Sequence, residues 1–382
     1  MPTTAARPFP HERALLFTLT AVQFTHILDF MIMMPLGARL MQVFGITPTQ
    51  FSLLVASYGF AAAATGFLGG FVLDRFDRRS ALLTLYTGFG IATLACALAP
   101  TYEILMAARI AAGACGGVAG SLVTSMVGDV IPPERRGRAM GMVMTAFPIA
   151  SVFGVPAGLI LSGWLEWHAP FQLLALCSAG ILFYARRVLP HVPAHRSDNH
   201  PVRQMVEILT HPIHRRCFLL SGVLVFAGAS VVPFMAPSLI TNVGLDERWE
   251  LPLVYLFGGA CAFVTMPWLG RLSDRHDKLH VLAVVSLLAV AVVPFITNLG
   301  PGPLPYTLVT TTLFFIAMSG RFAPAMAMIT NAVAARYRGG FMSVNSAVQQ
   351  ASGGLANLTA GLLITQTASG QLVGYARAGF VA

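Results

Sequence analysis

Gly70-Phe-Val-Leu-Asp74-Arg75-Phe-Asp77-Arg78 returns 200 residues later as Gly270-Arg-Leu-Ser-Asp274-Arg275-His-Asp277-Lys278. Each copy closes one long apolar stretch and opens another. The match extends outward, with Gly45 in line with Gly244 and Arg136-Gly137 with Arg338-Gly339. Duplication at this spacing predicts two structurally similar halves. In a membrane protein, duplicated helical halves imply a carrier built around a central site.

Composition identifies the solvent. The 382 residues are 56% hydrophobic and 10% charged, with a mean hydropathy of +0.72. That excess is too large for one water-soluble core, because such cores stop growing at roughly 250–300 residues. Eleven apolar runs reach the ~20 residues that a spanning helix needs. They lie at about 14–36, 51–73, 81–99, 103–127, 138–161, 169–189, 218–241, 251–270, 279–297, 304–330 and 341–365. The runs are continuous rather than alternating, so helices are expected and not barrel strands.

The net charge of +9 is distributed by side. With a cytoplasmic N-terminus, the inner loops and the linker hold nineteen basic residues, and the outer loops hold only Arg39 and Arg248. This is the positive-inside bias. The charge reads as a topology signal in a lipid bilayer and not as a nucleic-acid surface.

Residues 190–217 hold four prolines with clustered Arg and His, and read as a cytoplasmic linker. The expected organisation is an N-terminal bundle at 1–189, this linker, and a C-terminal bundle at 218–382. The repeat spacing places a twelfth helix near 369–389, so the chain, which ends at Ala382, is expected to be truncated there. His191, His195, His200, His211 and His214 crowd the linker, but no cysteine or acid completes a ligand set, and no metal is expected. No phosphate-binding loop or hydrolase motif occurs, so neither a cofactor nor an enzyme is expected.

Gly70-x-x-x-Asp74-Arg75-x-Asp77-Arg78-Arg79 resembles the loop 2–3 signature of the major facilitator superfamily, which usually has glycine at the place of Asp77. Ala108-Arg109-Ile-Ala-Ala-Gly113 resembles its helix 4 arginine motif. Gly154, Pro156 and Gly158 resemble the helix 5 motif of its bacterial drug:proton antiporter branch. The resemblance implies an all-α integral membrane fold of two pseudo-symmetric six-helix bundles that rock around a central cavity. It also implies that Asp129 partners Arg78, and that Gly70, Asp74, Arg75, Arg78, Asp274 and Arg275 form a conformational latch.

Asp29 is the one acidic residue well inside a predicted span, and such a carboxyl usually faces a cavity or a partner. His26 and Gln23 precede it in steps of three and share its helix face. Arg109 lies ~9 Å below the outer end of its helix and Asp29 ~24 Å above the inner end of its own, so their depths agree. A proton-coupling group of Asp29, His26 and Arg109 is therefore expected. Phe30, Met33, Arg321, Asn345 and Gln349 are further candidates, with Gln23, for the substrate cavity. For Arg321, snorkelling to the inner interface is an equal alternative.

The function expected is a monomeric, proton-coupled efflux carrier for a small-molecule substrate in the cytoplasmic (inner) membrane. A symporter or uniporter for a sugar or metabolite is the alternative within the fold. A multipass enzyme or sensor is the alternative outside it.

Overall fold

The computed structural model describes residues 12–72, 76–192, 201–334 and 337–382, with backbone alone at 70–72, 133 and 201–204. Helices dominate. The first half contains α1 (Glu12–Ile32), α2 (Pro48–Val72), α3 (Arg78–Ala97), α4 (Tyr102–Val130), α5 (Glu134–Trp164) and α6 (Ala169–Val188). The second contains α7 (Pro212–Val243), α8 (Glu250–Arg275), α9 (Lys278–Thr297), α10 (Leu304–Ala332), α11 (Arg338–Leu363) and α12 (Tyr375–Val381). Short helices at Gly37–Phe44 and Pro201–Thr210 and a hairpin pairing Thr365–Gln366 with Leu372–Val373 complete the described residues. Ten of the helices are long and apolar enough to cross a membrane. α11 is long as well, at 26 residues, but Asn345, Gln349 and Gln350 dilute its apolar character.

Three elements depart from expectation, each for a local reason. The first span ends at Ile32 rather than 36, and Met33–Leu36 form a turn before the Gly37–Phe44 helix. Pro35 lacks an N–H and its ring clashes with the carbonyl four residues back. α10 breaks at Arg321 and restarts at Phe322. There Pro324 leaves the Gly320 carbonyl without its helical donor. α12 begins at Tyr375, six residues later than predicted, because the hairpin and Gly374 (φ +93°) come first.

The repeat is visible in backbone geometry. Gly45 ends the Gly37–Phe44 helix at φ +60°, and Gly244 ends α7 at φ +86°. Left-handed conformation at a helix end favours glycine, which has no Cβ to clash.

Packing distinguishes the two ends of the molecule. One large cluster joins both halves on the face away from the linker: Met33, Leu36, Met41 and Phe51 meet Phe234, Leu239, Val243 and Leu251. Near the linker the cores are separate. Leu15, Leu19, Leu122 and Val143 belong to one, and Cys217, Phe218, Phe341 and Val344 to another, which Phe67 of α2 also reaches. The halves share one core on the far face, whereas toward the linker each has its own core and Phe67 of α2 packs on that of the second half.

Candidate functional site

Asp29 and Arg109 meet in the middle of the first half. Arg109 Nη1 donates to Asp29 Oδ2 at 2.7 Å and to the Asp29 backbone carbonyl at 3.2 Å. Both side chains are fully buried. Thr93 of α3 donates to Asp29 Oδ1 at 3.3 Å. Removing two charges from water costs several kcal/mol per ion, recovered only when pairing and hydrogen bonding are good. Here one nitrogen makes both bonds, and Arg109 Nε and Nη2 have no hydrogen-bond partner among the described residues. The guanidinium instead lies over the ring of Tyr58, 4.5 Å from its centroid.

Around this pair the elements are cut to fit. Gly113 of α4 lies against the backbone of Tyr58 in α2, where a Cβ would collide. Tyr58 packs on Phe30 at 5.3 Å, and its hydroxyl is 3.4 Å from His26 Nδ1. His26 and Gln23 lie beside Gly120 and are partly exposed, so the α1 stripe runs from half-buried positions to the fully buried Asp29. The buried Gln23 Oε1 has no partner among the described residues.

The helix 5 glycines also serve α1. A Cβ at Gly154 would meet Leu28, and one at Gly158 would meet Ile32, the neighbours that flank Asp29. Pro156 follows a π turn at Ala150–Gly154 in α5. At the contact between the halves, Ser151 touches Gly259 of α8.

The other cavity candidates are dispersed. Met33 is fully buried in the core that the two halves share. Arg321 is buried at the α10 break, with Nη2 2.6 Å from Met318 Sδ and Nε without a partner among the described residues. Asn345 is buried with its Oδ1 unpaired among the described residues, and Gln349 reaches Met326 Sδ at 3.9 Å.

Of the latch residues, Asp74 and Arg75 lie outside the described residues, and Gly70 is helical within α2. Arg78 Nε is 3.3 Å from Asp129 Oδ2 at the end of α4. Asp274 and Arg275 are exposed at the end of α8 and form no ion pair among the described residues. Asp77, the departure from the family's glycine, caps α3 by accepting from the Ser80 N–H at 2.9 Å and the Ser80 hydroxyl at 2.8 Å. It also accepts from the Val192 N–H at 2.9 Å. Partial burial raises its pKa, but these bonds and nearby His191 outweigh it, so the carboxyl lies below its ordinary value. Asp277 repeats the cap on α9 through the Leu279 N–H at 2.8 Å.

Residues 19–379 match the profile described as Major Facilitator Superfamily. The chain belongs to that superfamily. It is a secondary transporter of a small-molecule substrate in a lipid bilayer and not an enzyme. Among its superfamily relatives is a chloramphenicol resistance protein of Streptomyces lividans, 28% identical over 308 residues, which is 77% of each chain. A probable sugar efflux transporter of Pasteurella multocida (strain Pm70) is 21% identical over 258 residues, covering 68% of this chain and 63% of that one. The fold resembles an inward-facing bacterial homologue of the human lysosomal transporter Spinster (TM-score 0.77, 18% identity, 93% of this chain and 82% of that one). It also resembles a D-xylose-proton symporter (TM-score 0.73, 15% identity, 92% and 90% covered).

Within the superfamily scaffold, Thr93 and Tyr58 are the site residues that the sequence did not single out. Their only signal was a hydroxyl in an apolar run, which helix bonding to the preceding turn explains equally well.

Proposed function

We propose that this superfamily member is a proton-coupled antiporter that exports small organic molecules by alternating access. One observation carries the reading: a fully buried carboxylate, Asp29, held by Arg109 and continuous with the partly exposed His26 and Gln23. Protonating Asp29 removes the charge that holds Arg109. The freed guanidinium must then find another partner, and that change can be transmitted to α1 and α4. Proton and substrate compete through this pair.

The bundles are assigned to 1–189 and 218–382 with the linker at 190–217, in a monomer of the inner membrane with a cytoplasmic N-terminus. The separate cores at the linker face and the shared core at the far face fit a carrier at rest with its cavity open to the cytoplasm. The Streptomyces relative's name makes chloramphenicol the first compound to test, and the Pasteurella relative's name makes sugars the second.

The deciding experiment measures proton flux in proteoliposomes against a panel containing both classes. Substrate-stimulated counterflow of protons that is lost in Asp29→Asn supports antiport. Flux of proton and substrate in the same direction selects a symporter instead.

A further inference from the structure

Tyr58 touches both the half-buried and the fully buried part of the α1 stripe. His26, Gln23 and Phe30 are partly exposed, whereas Asp29, Thr93, Cys96 and Arg109 are fully buried. The Tyr58 hydroxyl meets the first group at His26, and its ring face meets the second at Arg109. The ring itself is fully buried. Its seat is shaped by glycine: a Cβ at Gly116 would stand 2.6 Å from the Tyr58 hydroxyl. The titratable and charged groups around the ring are Asp29 and His26 from α1, Cys96 from α3, and Arg109 and Cys115 from α4.

We infer, on the carrier reading above, that Tyr58 is a positioning residue whose ring keeps the Asp29–Arg109 pair dry and whose displacement admits the proton. A guanidinium with two nitrogens that find no hydrogen bond among the described residues gains from the π face, and gains more without water. The hydroxyl holds the ring at rest through loose contacts to His26 Nδ1 at 3.4 Å and the His26 carbonyl at 3.5 Å. Both contacts come from one residue of α1, so movement of α1 relative to α2 loosens them together. The ring then swings away from Arg109, and cavity water reaches Asp29.

Cys96 gives a readout that needs no substrate, because its buried thiol lies behind the same barrier. The test uses the full chain with Cys96 as the sole cysteine, reconstituted and treated with N-ethylmaleimide. Tyr58→Leu should raise its alkylation rate by about tenfold or more, the size expected for losing a desolvated cation–π contact, and Tyr58→Phe by under about twofold. Tyr58→Leu vesicles loaded with pyranine should also dissipate an imposed pH gradient faster without any solute. A parallel protein retaining only Cys217, buried in the second half, reports general loosening. An unchanged Cys96 rate in Tyr58→Leu, or equal rises at Cys96 and Cys217, overturns the assignment. If the wild type moves no panel compound with protons, the antiport reading fails while the Cys96 result stands by itself.

Discussion

Trp164 at the end of α5 and Trp249 before α8 meet edge to face across the division between the halves, their ring centroids 5.7 Å apart. Beside them, Arg248 packs on Gly163, and Arg39 donates to the Ser162 carbonyl at 2.5 Å. The tryptophan pair and the Arg248–Gly163 contact cross between the halves on the same face as the shared core and help to hold it shut, while the Arg39 bond is internal to the first half. An aromatic pair of this kind contributes about 0.5–1.5 kcal/mol beyond its buried area. Trp164→Ala should therefore shift the population toward the far-face-open state by roughly three- to tenfold. A cysteine at Met33, in a background with the native cysteines replaced by serine, should label faster from that side with an impermeant maleimide. An unchanged rate would show that the pair has no part in the seal.

The buried ion pair predicts a particular pattern of rescue. Removing one partner leaves an uncompensated charge and costs about 3–5 kcal/mol. Arg109→Gln and Asp29→Asn should each lower the melting temperature in detergent. The double variant should regain much of that loss, because two neutral amides can still bond to each other. Proton-coupled transport should stay absent in all three. Additive losses in the double variant would mean that the two groups stabilise the fold independently.

Gly113 and Gly158 separate backbone from side-chain crowding. A methyl at Gly113 meets the main chain of Tyr58, which has no rotamer to escape into. Gly113→Ala should destabilise by about 1–3 kcal/mol, the usual range for overpacking. Gly158→Ala meets side chain alone, chiefly the terminal methyl of Ile32, which can turn. Its effect on the melting temperature should be smaller, and Ile32→Val should relieve it.

Asp77 links acid stability to the loop before α3. Its pKa is depressed when folded, so its contribution is present above the unfolded value and disappears as pH falls through the folded one. The unfolded value is near 3.9, so the loss should occur below about pH 4. At neutral pH, Asp77→Ala should cost about 0.5–2 kcal/mol for the missing cap. Thermal melts of the wild type and variant should converge on acidification. Curves that stay parallel below pH 4 would rule out the cap as the source.

Much of the architecture was legible in the residues because it follows from solvent and repetition. Twenty apolar residues in a row have few uses other than spanning lipid, and two copies of one loop signature imply two copies of one fold. The depth of Asp29 and Arg109 was readable because helical rise is constant. Proline effects at Pro35 and Pro324 were readable in principle, yet the first and tenth spans were drawn straight through them. An apolar run masks a local break when hydropathy alone is followed.

The chain by itself determined the helices and the all-α membrane fold, since these depend on composition and on distance along the sequence. Only the tertiary structure decided which faces meet. It turned Met33 into the far-face core, seated Tyr58 under Arg109, brought Thr93 to Asp29, and set the helix 5 glycines against Leu28 and Ile32. Helix rotation is the reason. In an apolar segment a rotation of one residue step changes every neighbour while leaving hydropathy unchanged, so facing is chosen by packing between helices and not by any signal within one of them.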